Sequence, residues 1–179
     1  MARKRADRGA AELDHAAALP EWAKEMVLLG CHGGAGTTTL RILLKTPWEL
    51  GAYSVDRSEI ATFGRPLVLV TRDNAAAAAR AADVVNNVAA RGVGIAVLAV
   101  VADGSGPEPA EASTRLRLVE ERVGRLVRVP FVAGLRFVDV SEVDRVRMHK
   151  KAQQALTEIT QACYRAAAGD VLVRNAEES

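Results

Sequence analysis

With 179 residues, a hydrophobic fraction of 49% and a net charge of +2, the chain has the length and apolar content of one ordinary domain with a buried core. That charge is too small to imply nucleic-acid binding by itself, and no apolar run approaches the ~18 residues of a membrane span. Aromatic residues make up only 4%, so alanine and valine do much of the apolar work, which suits a parallel sheet flanked by close-packed helices.

Residues 1–20 read as a basic, flexible tail, with Arg3, Lys4, Arg5 and Arg8 set against Asp7. No apolar stretch follows these charges, so they do not form a secretory signal. The sharper alternative is an electrostatic arm for DNA, acidic lipid or an acidic partner. A single domain is expected over 21–168, followed by a C-terminal tail at 169–179.

The domain opens with an apolar strand at 26–29 and continues as Gly30-Cys31-His32-Gly33-Gly34-Ala35-Gly36-Thr37-Thr38-Thr39. A helix-like pattern of Leu40, Ile42, Leu43 and Leu44 comes next. Strand, glycine-rich turn and helix together form a concave anion site, because glycines let successive N–H groups turn inward at a helix N-terminus. Thr37 and Thr38 stand where hydroxyls reach a phosphate oxygen or a magnesium ion. The standard phosphate-loop pattern, G-x-x-x-x-G-K-[ST], has a lysine where this chain has Thr37. Losing that full charge hurts phosphoryl transfer more than binding, since lysine stabilises the charge on the transferring group.

Pro47 and Gly51 break the pattern after the first helix. An uninterrupted apolar run at 67–71 predicts a strand covered on both faces. Asn74 is a natural N-cap for an alanine-rich helix at 75–91, which Gly92 and Gly94 stop. The strand at 95–101 runs out towards Asp103 and an exposed loop at 104–109. Leu116, Val119 and Val123 predict an amphipathic helix ended by Gly124, and a strand follows at 126–132. Ser141 with Asp144 resembles a capping box opening the final helix, whose Ala152, Ala155, Leu156, Ile159, Ala162 and Cys163 share one face. Strands alternating with helices predict an α/β fold: a three-layer parallel sheet with helices on both faces. Ligands of such sheets bind beyond the carboxyl ends of the strands, where the glycine loop, Arg72 and Asp103 would lie.

The glycine loop resembles the deviant Walker A of the ParA/MinD family, K-G-G-x-G-K-[ST]-[ST]. Its glycines match Gly33, Gly34 and Gly36, and its hydroxyls match Thr38 and Thr39. The family's signature lysine falls on His32 and its Walker lysine on Thr37. The runs at 66–72, 95–101 and 126–131 resemble successive core strands of the family, the last ending in its hydrophobic-Pro-aromatic turn. A likeness therefore covers roughly residues 26–165, and only the loop is specific. The resemblance implies a P-loop NTPase-like fold that binds ATP with Mg2+. Gly33, Gly34, Ala35, Gly36, Thr37, Thr38 and Thr39 would be the nucleotide cradle, and Thr38 with Asp56 the metal ligands. About twenty residues separate Lys45 from Pro66, which is short for a strand plus the family's two switch segments, so the switch region reads as shortened. Glu49, Asp56 and Glu59 are the acidic residues available there, Asp56 being the preferred metal-facing one.

His32, Arg72 and Asp103 are secondary candidates. His32 is either a phosphate donor or a solvent-facing loop residue. Arg72 either replaces the missing lysine or is a surface arginine. Asp103 lies where family members often read the base, and equally suits an acidic residue ahead of a helix. Cys31 and Cys163, distant in sequence, suggest reduced thiols in a cytoplasmic protein. Both are expected to pack in the core, although Cys31 stands near a helix N-terminus that can lower a thiol pKa. Arg145, Arg147, Lys150 and Lys151 make a basic patch of the kind through which family members contact DNA, membrane or another subunit.

The leading functional expectation is a nucleotide-binding switch or adaptor with little or no ATP hydrolysis, acting with protein partners or as a homodimer in assembly, positioning or partitioning machinery. No residue is assigned a catalytic role. A pseudo-NTPase interaction module that binds no nucleotide is the main alternative. Dinucleotide binding is a third, because Asp56 follows Gly36 by twenty residues, though Thr39 stands where its third glycine belongs. An active ATPase would need a replacement cation such as Lys24, Lys45 or Arg72. The alanine-, valine- and arginine-rich composition suits a high-GC bacterium.

Overall fold

A computed structural model describes residues 25–57 and 59–177. The basic stretch at 1–20 and Lys24 lie outside the described residues. Five strands form one sheet: β1 (Val27–Gly30), β2 (Trp48–Ala52), β3 (Leu67–Arg72), β4 (Ile95–Val101) and β5 (Leu126–Val129). All neighbouring pairs are parallel, in the order β2-β1-β3-β4-β5. Among the described residues four α-helices accompany them: α1 (Thr37–Leu44), α2 (Ala75–Ala90), α3 (Ala110–Leu118) and α4 (Lys150–Glu177).

Two apolar layers hold the helices to the sheet, as the strand alternation requires. On one side Leu29, Leu67, Leu69 and Leu98 pack against Ala78, Ala81 and Val85 of α2 and Leu116 of α3. On the other, Leu28, Val68, Val70 and Val97 meet Leu40 of α1 and Ala155, Ile159 and Cys163 of α4. The division follows from handedness. The chain moves outward from β1 to β2 in one direction and from β3 to β5 in the other. Right-handed crossovers therefore put α1 on the face opposite α2 and α3.

Several expected boundaries shift. Only the first half of the segment around Leu116 is α-helical, with a 3-10 turn at Glu120–Arg122 before Gly124. The final helix does not start at Ser141. Residues Val140–Arg145 form a 3-10 turn in which Asp139 is the N-cap without a side-chain bond, and α4 begins at Lys150. Its backbone continues to Glu177, beyond the expected domain end at 168. The middle segment carries the edge strand β2, followed by a connection at 53–66 that returns to β3.

Candidate functional site at the carboxyl edge of the sheet

The strand order reverses between β1 and β3. Connections from these strands diverge, leaving a crevice at the carboxyl edge where parallel α/β sheets take their ligands. The glycine loop fills that crevice. Gly34 (φ 75°) and Gly36 (φ 93°) adopt left-handed conformations that only glycine takes cheaply. A Cβ on Gly33 or Gly34 would meet nothing within 4 Å, so the loop's inner surface opens onto free space. Gly36 is the N-cap of α1 and offers no capping side chain. The first bond to close onto the helix is donated by Leu40 N–H to Gly36 O at 2.9 Å. The N–H groups of Thr37, Thr38 and Thr39 are thus the helix's orphan donors, directed at the crevice.

Across this loop lies Arg72, the last residue of β3. Its Nε donates to Gly34 O at 3.1 Å, and its guanidinium would stand 3.5 Å from a Cβ on Gly36. Two cavities adjoin here. One, of about 260 Å3, is lined by His32 to Thr39, Glu49, Gly51, Ala52 and Arg72. The other, of about 270 Å3, runs between α1 and the ends of β4 and β5, lined in part by Leu40, Leu43, Asp103, Phe131, Leu135 and Arg136. Gly36, Thr39 and Arg72 line both. Each is close to the lower end, ~300 Å3, of small-molecule sites. One half is rich in N–H donors and carries both Arg72 and Glu49, and the other is mainly apolar with three charged side chains.

The second cavity is braced by polar contacts. Asp73, buried, accepts from Asp103 N–H at 3.0 Å and ties the ends of β3 and β4 together. Asp103 accepts from the Ser105 hydroxyl and backbone N–H; these bonds, helped by Asn74 and the nearby Arg72, hold its carboxyl below the usual range. Arg136 donates to Asp103 O at 2.8 Å and lies 4.7 Å over the Phe131 ring, roofing the cavity.

The chain matches no protein-family model, no curated protein and no solved structure.

The residues singled out from sequence divide clearly in space. Gly33, Gly34, Ala35, Gly36, Thr37, Thr38 and Thr39 all line the first cavity, as do His32 and Arg72. Thr37, at the lysine position, is buried, and its Oγ1 packs only 2.6 Å from where a Gly30 Cβ would be. Its hydroxyl therefore faces the strand rather than the crevice floor. His32 sits on the rim, one ring nitrogen 2.9 Å from Gly33 O and the other 3.4 Å from the Thr71 hydroxyl. Lys45 caps the far end of α1, so among the described candidates Arg72 alone brings a cation to the loop. Cys31 is buried, and burial pushes its thiol up to about 12, opposite to the effect of a helix N-terminus. Arg145, Arg147, Lys150 and Lys151 are exposed around the start of α4.

Asp56 does not join the cleft. It sits in an exposed turn after β2, its N–H 3.4 Å from the Ser54 hydroxyl. The carboxylate beside the loop is Glu49 of β2, passed over because an acidic residue on an edge strand carries no spacing signal. Thr38 Oγ1 donates to Glu49 Oε1 at 2.8 Å, and Arg41 Nε donates to Glu49 Oε2 at 3.1 Å. Among the described residues, no three His, Cys, Asp or Glu side chains converge as a metal site. Mg2+ is ordinarily held by one or two carboxylates together with waters and ligand phosphates. The one carboxylate at this loop is already paired with the Arg41 guanidinium, whose charge makes it a poor magnesium ligand.

Proposed function

We propose that the chain is a ParA/MinD-like nucleotide-binding protein, P-loop NTPase-like in fold, that works as a switch or adaptor with little or no ATP hydrolysis. The observation that carries this reading is Arg72, which lies over the glycine loop and lines both halves of the cleft. A phosphate seated among the N–H groups of residues 33–39 would meet this guanidinium, a donor well matched to phosphate oxygens. The adjoining cavity offers apolar walls and Asp103 to a base and sugar. Topology by itself supports any phosphate-bearing ligand at such a switch point. The preference for a nucleotide comes from the second cavity and from the loop's resemblance.

Low turnover is expected from the replacement of the lysine, since Arg72, tied to Gly34 O through Nε, offers its other N–H groups for binding a phosphate. Thr37, which stands in for the lysine, is buried and neutral. A protein that binds and holds nucleotide transmits the bound state through contacts with a protein partner or a second copy.

The test is calorimetric titration of the protein with ATP, ADP and GTP, repeated with Arg72→Ala. Single-site binding that the variant loses supports the reading, and silence at millimolar nucleotide removes it. One observation favours the alternative, a pseudo-NTPase interaction module. The bonds from Arg72 to Gly34 O, from Thr38 to Glu49 and between His32 and Gly33 O brace the loop from within the chain. Under that alternative, Arg72→Ala would lower stability and leave nothing for nucleotide to restore.

A further inference from the structure

The carboxylate beside the cradle poses an electrostatic problem that its neighbours solve. Glu49 lines the same cavity as the loop, so an anion seated there would face a negative charge across a partly dry gap. In a metal-dependent phosphate site, a divalent cation bridges such a carboxylate and the phosphate. Here α1 performs the neutralisation itself. Thr38 and Arg41 are three residues apart and so project from one side of the helix. Both reach the same partner on β2, the hydroxyl binding one carboxylate oxygen and the guanidinium the other. The Arg41–Glu49 pair is half-buried, with side-chain exposures of 31% and 21%, and so is less screened than a surface pair. Arg41 does not line the cavity. It stands behind Glu49 and acts through it, as a positioning residue.

We infer that the Arg41–Glu49–Thr38 bridge takes the place of the divalent cation, so that the cleft binds its phosphate-bearing ligand without metal. This inference rests on the nucleotide reading above. A divalent ion at Glu49 would compete with the Arg41 guanidinium for the same carboxylate charge. Arg72 approaches the loop from β3, so the phosphate region is flanked by one guanidinium and one neutralised carboxylate. With Arg41 offsetting Glu49, the charge of Arg72 is left to face the phosphate.

The test is titration of the full chain with ADP by calorimetry, in EDTA and in excess Mg2+. The expected result is a dissociation constant that agrees within about threefold between the two buffers. Arg41→Gln leaves Glu49 unneutralised. It should weaken ADP binding in EDTA by about tenfold or more and recover when Mg2+ is added, creating a metal dependence that wild type lacks. Arg41→Lys keeps the charge and should stay metal-independent, and matching circular dichroism melts establish that both variants fold. Wild-type binding that tightens about tenfold or more with Mg2+ overturns the inference while leaving the nucleotide reading intact. Silence in both buffers overturns both.

Discussion

In the nucleotide-binding reading proposed above, Arg72 and Gly36 shape the anion site, and each can be altered without touching the core. Arg72→Ala removes the guanidinium charge and the brace on Gly34 O together. A charge-assisted hydrogen bond contributes about 1.5–3 kcal/mol, so nucleotide affinity should fall by about ten- to a hundredfold. Arg72→Lys should recover part of that loss, having the charge but not the forked geometry. Equal affinities for the wild type and Arg72→Ala would rule out a role for this side chain in binding. Gly36→Ala attacks the loop differently. Its φ of 93° is strained for any L residue, at a cost of about 1–3 kcal/mol, while its Cβ would make only ordinary contact with the Arg72 guanidinium at 3.5 Å. The variant should melt several degrees lower and bind more weakly; an unchanged melt would mean that the loop accommodates another conformation.

Elements that carry one dominant pattern are legible in the sequence, while those set by partners are not. β3 and β4 are buried on both faces, so their continuous apolar runs mark them directly. Asn74 is equally plain: its side chain accepts from Ala77 N–H at 2.9 Å and starts α2 two residues after Arg72. Asn74→Ala should cost about 1 kcal/mol by urea denaturation, and because the cap fixes the exit from β3, nucleotide affinity should fall with it. A stability loss with full affinity would detach the cap from the cleft. β2 hides because it is an edge strand with three exposed positions and a glycine at φ 75°. Its place is held by side-chain contacts no local pattern encodes, such as Trp48 Nε1 donating to Glu25 at 2.6 Å and Arg65 lying 4.2 Å over the indole. The start of α4 is misjudged for a related reason. Ser141 and Asp144 have capping spacing, yet Val143 is buried and α1 packs against this segment, so tertiary contact selects a 3-10 turn. The cleft follows the same division. The loop's glycines and threonines announce themselves, whereas the direction of Arg72 and the approach of Glu49 depend on how β3 and β2 flank β1.

At the scale of the whole molecule, each apolar layer contains one thiol: Cys31 with α2 and α3, Cys163 with α1 and α4. Burial pushes both thiols up to about 12. An unfolded cysteine loses its proton near pH 8.5, so above that pH the unfolded chain binds fewer protons than the folded one. Stability from this source is therefore complete below about pH 8.5 and declines as pH rises from there towards 12. Within that window each thiol contributes a slope of about 1.4 kcal/mol per pH unit. Lysines and tyrosines also titrate there, so the thiol contribution is read as a difference between variants. Urea midpoints measured at about pH 7.5 and 9.5 should fall further for wild type than for Cys31→Ala or Cys163→Ala. The difference should be roughly 0.5–1.4 M per thiol, given urea slopes of about 1–3 kcal/mol/M. The double variant should show the smallest pH dependence, because the two thiols lie in separate layers and their contributions add. Parallel pH profiles for all four proteins would mean that water reaches both thiols in the folded state, and that neither layer is as closely packed as its side chains indicate.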